Sequence, residues 1–378
     1  MGIFTLPPKL PHTDLDYDFF MRNPEGVPVR RLKRTLPAEW FPQSAVQLTW
    51  PHTATDWNYM LNEITETYVR LAYEIAIREK LLIVTPEPEA VEQLMKERLP
   101  QRATKHIVYV ACPTNDTWAR DHGFITVVGT GGNELLDFSF NGWGGKFESS
   151  LDNAINRHIF DAGIATGTYV DCLDIVLEGG SIESDGMGTL LTTACCLNAP
   201  GRNGDDCHIE SELMERLGVE RILWLHHGHL EGDDTDGHID TLARLCPYNQ
   251  IAYVKCDDPS DSIHFDELMA MERELKTFTT LSGDPYTLVP LPHPAPIYDS
   301  DGKRLPATYA NFLITNSAII YPIYRQPEFD EQARKALQKI FPKYDLVGID
   351  ATALIQQHGS IHCATMQFPK GVINTQQA

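Results

Sequence analysis

The 378-residue chain is 42% hydrophobic and 22% charged, an ordinary balance for a globular protein, and its formal net charge is −21. No apolar run approaches the roughly 18 residues of a membrane span, and Met1–Lys9 carries no secretory-signal pattern. The acidic balance argues against a nucleic-acid partner; it favours a cationic ligand through long-range attraction, although solubility alone would account for it.

In chain order, residues 1–36 are rich in proline and charge and read as an extended arm. A short strand is expected at 45–48, then a long amphipathic helix from Asp56. Its stripe of Trp57, Met60, Leu61, Ile64, Tyr68, Leu71, Ala72 and Ile75 keeps three-to-four spacing. Strands at 81–85 and 107–111 flank a helix at 90–99. Strands at 124–128 and 134–140 form a hairpin across Gly129-Thr130-Gly131-Gly132-Asn133, followed by a helix at 151–159.

The same order then recurs. A hairpin at 182–184 and 189–195 precedes a helix at 206–217 and a strand at 221–225. A second pair at 241–246 and 250–255 precedes a helix at 265–278. A third, at 312–315 and 318–322, precedes a helix at 328–341 and a strand at 345–349. The Asp56 helix would serve a last unit, completed by a C-terminal strand around Cys363.

Each hairpin follows a polar cluster. Asp121, Glu178, His238, Asn311 and Cys363 mark these clusters at separations of 57, 60, 73 and 52 residues. Nearly even spacing predicts an α/β fold of circularly repeated ββαβ units, each delivering one group to a shared centre. An open mixed α/β sheet is the alternative.

Eight cysteines, at 112, 172, 195, 196, 207, 246, 256 and 363, form no CxxC pair and read as reduced thiols of an intracellular, cytoplasmic protein. Cys363 is the candidate nucleophile, if a neighbouring charge or base raises its thiolate fraction; otherwise it is a small buried hydrophobe. His362 is set aside, because adjacent side chains on a strand point to opposite faces. On a strand start, His238 and Asp240 would share a face and supply an acid/base and a carboxylate; in a polar loop they would not. Glu178 ends the apolar run Ile175-Val176-Leu177, and pairing with an imidazole would favour the cationic form of that ring. Asp121 could instead pair with Arg120, and Asn311 could serve only the backbone. A rival reading is a zinc hydrolase built on His226, His227 and His229 with downstream aspartates.

Together the clusters resemble the agmatine deiminase / bacterial peptidylarginine deiminase family of guanidino-modifying enzymes. The resemblance runs from Leu36-Pro37-Ala38-Glu39-Trp40 through Trp118-Ala119-Arg120-Asp121, Phe140-Asn141-Gly142-Trp143-Gly144-Gly145 and Leu177-Glu178-Gly179-Gly180-Ser181-Ile182. It continues through Thr235-Asp236-Gly237-His238-Ile239-Asp240, Leu305–Phe312 and Ile361-His362-Cys363. The family commonly has a glycine-rich run ending in Asn before Ile-His-Cys; here Gln357-His358-Gly359-Ser360 stands instead.

The resemblance implies a pentein-like five-unit αβ-propeller with its site on the axis, formed by the whole chain as one catalytic domain. It implies Cys363 as nucleophile and His238 as general acid/base, oriented by Glu178. Asp121 and Asp240 would grip a guanidinium bidentately, with Asn311 and Trp118 lining the pocket. The expected reaction passes through a covalent thiouronium and needs no cofactor or metal. Agmatine, giving N-carbamoylputrescine on the way to putrescine, is the first substrate; free or peptidyl arginine is the alternative. A non-catalytic guanidine-binding protein is the alternative from another class. A homodimer is an assembly open to such a chain.

Overall fold

The computed structural model describes residues 34–204 and 208–373. Strand β1 (Arg34–Thr35) opens them, followed by β2 (Gln43–Thr49), helix α1 (Leu61–Ala76), β3 (Lys80–Thr85), helix α2 (Pro88–Arg98) and β4 (Ile107–Ala111). In α1, Ile64, Tyr68, Leu71, Ala72 and Ile75 are fully buried, and Met60 and Leu61 pack at the edge. That is the predicted stripe, although the entry from Asp56 to Met60 is a 3-10 turn.

β5 (Ile125–Gly129) and β6 (Gly132–Ser139) are antiparallel, and helix α3 (Ile155–Asp161) leads to β7 (Thr168–Val176), parallel to β6. β8 (Ile182–Ser184) and β9 (Thr189–Thr193) pair next, and helix α4 (Ile209–Leu217) leads to β10 (Arg221–Leu225), parallel to β9. α4 ends at Gly218, whose left-handed φ of 65° brings its Cα against the backbone at Arg34; an added Cβ would lie 2.5 Å from the Arg34 carbonyl oxygen.

β11 (Ala243–Cys246) and β12 (Gln250–Lys255) follow, with helix α5 (Ser262–Leu275) and β13 (Thr287–Pro292). β14 (Leu313–Ile314) and β15 (Ala318–Ile323) precede helix α6 (Pro327–Ile340) and β16 (Asp345–Asp350). Finally β17 (Thr365–Pro369) pairs antiparallel with β2. The result is a mixed α/β fold of five sheets, each containing an antiparallel pair with a parallel strand beside it; β1 adds a fourth, antiparallel strand to one sheet and β4 a fourth, parallel strand to another. In the sheet β17-β2-β3-β4 the two ends of the described chain supply the antiparallel pair.

Several expectations need correction. β7 and β13 went unpredicted: β7 has no apolar alternation, burying only Cys172 and Ile175 beside exposed aspartates, and β13 holds two prolines that only an edge strand tolerates. β17 starts at Thr365, so Cys363 lies in the turn at 361–364 and not on a strand. His238 likewise precedes a single 3-10 turn, Ile239–Thr241, and starts no strand. Residues 206 and 207, the predicted start of α4, and most of the arm at 1–36 lie outside the described residues; of that arm, Arg34 and Thr35 pair with β5, and Leu36 N–H donates to Leu217 O at 2.7 Å. Among the described residues no helix is long and apolar enough to cross a membrane.

Candidate active site

Cys363 is buried in its turn, and Asn311, just before β14, governs its surroundings. Oδ1 of Asn311 accepts the backbone N–H of His362 (2.9 Å) and of Cys363 (3.2 Å), while its Nδ2 donates to the Cys363 sulfur at 3.2 Å. The same Nδ2 donates to Asp240 Oδ2 at 3.1 Å, and that oxygen lies 3.8 Å from the sulfur. Asn311 therefore fixes both the turn of Cys363 and the nearest carboxylate, a larger role than serving the backbone.

Asp240 Oδ2 also meets His362 Nδ1 at 2.7 Å, and Nε2 of that ring lies 2.8 Å from Glu39 Oε2. Behind them sits Arg244, fully buried in β11. It donates through Nε to Glu183, through Nη2 to Glu39, and through Nη1 to the carbonyls of Ala310 and Phe312, the two residues flanking Asn311. Its guanidinium carbon stands 4.5 Å from the Phe312 ring centroid. One buried arginine thus holds the backbone on both sides of Asn311, and reaches Asp240 through His362.

A second chain of contacts holds His238. Its Nδ1 lies 3.7 Å from Asp121 Oδ1 and its Nε2 lies 3.5 Å from Glu178 Oε2, beyond hydrogen-bond length in both cases. Asp121 is buried and accepts Gly180 N–H and Trp143 Nε1–H, each at 3.0 Å. It forms no pair with Arg120, whose own backbone N–H donates to Cys363 O at 3.1 Å and ties the two loops together. Glu178 is fully buried, with Arg202 Nε 2.7 and 2.9 Å from its oxygens, and Arg202 Nη1 reaches Asp236 at 2.7 Å. Trp118 packs over Gly359, where an added Cβ would fall 2.2 Å from the ring; only glycine lets the loop before Cys363 come this close.

Neither ring nitrogen of His238 nor Oδ1 of Asp240 makes a hydrogen bond among the described residues. Buried polar atoms without partners are rare and mark places where a ligand is met.

The charges set the protonation states. Burial, then the charges of Asp240 and Asp121, hold the Cys363 thiol well above the usual cysteine range. Burial pulls His238 down, but Asp121, Cys196 and Glu178 outweigh it and raise the imidazole well above its ordinary value. Burial pushes Asp121 up to about 6. Burial also pushes Glu178 and Asp240 upward, yet His238 and Arg202 lower the first, and His362 lowers the second, below the usual carboxylate range.

The structure thus joins Cys363, Asp240 and Asn311 in one contact set, and His238, Asp121 and Glu178 in another. The zinc alternative is not formed: His226, His227 and His229 are exposed, and no grouping of three ligands among the described residues includes them. Sequence reasoning missed Glu39, Glu183, Arg202, Arg244 and the part played by His362. Arg244 did leave a signal, since a charge inside the apolar run Ala243–Cys246 requires a buried partner.

A buried thiol under the charges of two buried carboxylates, one of them beside a buried imidazole, thus sits on a mixed α/β fold. Residues 35–369 match the Porphyromonas-type peptidyl-arginine deiminase family, and the chain belongs to it. A Porphyromonas gingivalis structure, provisionally described as an arginine deiminase, is 48% identical with a TM-score of 0.85, covering 90% of this chain and 100% of that one. The C. jejuni agmatine deiminase, solved as a Cys→Ser variant with substrate bound, is 38% identical with a TM-score of 0.81, over 89% of this chain and 97% of that one. A relative from Shewanella frigidimarina, provisionally described as an agmatine deiminase, is 33% identical over 366 residues, spanning 89% of this chain and 94% of its own.

Proposed function

We propose that this chain is a cysteine-dependent hydrolase that deiminates a guanidino compound, converting agmatine and water to N-carbamoylputrescine and ammonia. The observation that carries this reading is the buried thiol of Cys363 under the charges of two buried carboxylates, Asp240 and Asp121, with the unpartnered imidazole of His238 beside them.

A guanidinium is planar, cationic and forked, and carboxylates hold it by paired charge-assisted bonds. Bound by Asp121 and by the free Oδ1 of Asp240, it neutralises the charges that keep the thiol protonated. The thiol then gives its proton to solvent, and the thiolate attacks the guanidinium carbon. His238, held cationic by its acidic neighbours, protonates the departing nitrogen, and ammonia leaves a thiouronium on Cys363. The imidazole, now neutral, takes a proton from water, whose oxygen displaces the sulfur and leaves a ureido product.

Agmatine is placed first because the C. jejuni relative is described as an agmatine deiminase, as is that of Enterococcus faecalis. Arginine stands second, on the description of the P. gingivalis relative. The same reading takes the chain as one catalytic domain acting in the cytoplasm, and its five sheets as the ββαβ blades of an αβ-propeller. Support for the blades is the shared strand pattern of the five sheets, with β17 and β2 joining the ends of the described chain.

The test is ammonia release from agmatine, free arginine and a blocked arginyl peptide. Release from agmatine that is lost in Cys363→Ala and survives a chelator is expected. A folded protein that releases ammonia from none of the three refutes the reading.

A further inference from the structure

The proposed chemistry leaves one buried thiol in the site unused. Cys196 lies in the helical turn Ala194–Leu197 directly after β9. Its sulfur, a carboxylate oxygen of Glu178 and a ring nitrogen of His238 all lie within 4.8 Å of one another, and all three residues are fully buried. Glu178 Oε2 and His238 Nε2 stand 3.5 Å apart, and neither nitrogen of that ring is hydrogen-bonded. Zinc bonds of about 2.0 Å to nitrogen or oxygen and 2.3 Å to sulfur, set tetrahedrally, put neighbouring ligand atoms roughly 3.5 Å apart. That is the spacing found between Glu178 and His238.

Two other clusters offer three such ligands, and in both an arginine already occupies the centre. Arg304 Nη2 bonds Asp261 (2.7 Å) and His293 (3.0 Å), and Arg244 Nη2 bonds Glu39 and lies 3.1 Å from His362 Nε2. Arg202, by contrast, hydrogen-bonds Glu178 but neither His238 nor Cys196. It holds the carboxylate in place, and a carboxylate has acceptor sites enough for a guanidinium and a metal together.

We propose that Glu178, Cys196 and His238 form a site for a thiophilic divalent cation of the zinc type, and that occupancy inhibits turnover by capturing His238. A ligand set of thiolate, imidazole and carboxylate suits zinc rather than a hard cation. On binding, the S–H proton of Cys196 and one N–H proton of the cationic His238 both pass to solvent, and an S–metal and an N–metal bond take their places. Water fills the fourth position. The inhibition rests on the role proposed above for His238; the metal binding does not.

The experiment titrates metal-free protein with Co²⁺, reading the thiolate-to-cobalt charge-transfer absorption without substrate, and separately with Zn²⁺, reading ammonia release. One equivalent of cobalt should give the band in the wild type and in Cys363→Ala. Cys196→Ala should lose the band and weaken binding by more than about a hundredfold, the upper end of the cost of losing an outer-shell partner, and the turnover it retains should no longer respond to zinc. Cys196→Ser serves if the alanine chain does not fold. A band that survives in Cys196→Ala and vanishes in Cys363→Ala assigns the metal to the nucleophile and overturns the proposal. So does a folded wild type with no band. Because the band needs no turnover, its absence is distinct from a failure of the deiminase reading.

Discussion

Asp121 links the two halves of the site, since its charge bears on both the Cys363 thiol and the His238 imidazole. Burial moves its titration to about 6. Below that pH it is protonated and neutral, so it can neither grip a cation nor sustain a cationic His238. The kcat/KM for agmatine should therefore rise with pH through about 6. Asp121→Asn should flatten that limb and raise KM, as a pH series on both proteins would register. Arg244 belongs to the same scale. Arg244→Met leaves Glu39 and Glu183 buried without their cation, at a cost of about 3–5 kcal/mol for breaking a buried pair. Chemical denaturation should show that loss, and turnover should fall with it as Asn311 and Asp240 come loose. The residues that lie in short polar motifs, namely Asp121, Glu178, His238, Asp240, Asn311 and Cys363, could be picked from the sequence. Arg244 and Glu39 could not be paired there, because 205 residues separate them and only the fold brings them together.

At the scale of elements, the site residues sit on short turns that end or precede strands, not on the strands themselves. The 3-10 turn Gly179–Ser181 passes so close to the site that a Cβ on Gly180 would lie 2.6 Å from His238 Nδ1 and 2.8 Å from Asp121 Oδ1. Gly180→Ala should push the imidazole away from its carboxylate. Overpacking of this kind costs about 1–3 kcal/mol, so thermal melting should record a folded protein while ammonia release is largely lost. A melting curve and an assay on one preparation check both halves. The regular helices and the hairpins were legible because their apolar spacing is strong. The turn carrying Cys363 was misread as strand, which led to His362 being set aside by an argument from strand alternation. Its role as the ligand of Asp240 comes from turn geometry that apolar periodicity does not encode. The prolines of β13 hid an edge strand in the same way.

The molecule as a whole carries a formal charge of −21, and its proposed substrate is a cation. Raising ionic strength from 0.01 M to 0.15 M shortens the screening length from about 30 Å to about 8 Å. The kcat/KM for agmatine should fall over that range while kcat holds, since salt weakens the long-range attraction and leaves the buried site unscreened; steady-state kinetics at several salt concentrations would separate the two. The recurring order of hairpin, helix and strand was visible in the even spacing of the polar markers. The pairing of β17 with β2 was anticipated only as a closing unit around Cys363. Its register, Thr365 opposite Leu48, depends on contacts across more than three hundred residues. Arg244 adds a consequence of another kind. It is itself a guanidinium, linked through the imidazole of His362 and the carboxylate of Asp240 to a thiol proposed to attack such groups. Its donors are occupied by Glu39, Glu183, Ala310 and Phe312, and the Phe312 ring covers one face. A catalyst of this chemistry must be immune to itself, and here the buried arginine keeps its donors bonded and one face of its guanidinium against an aromatic ring.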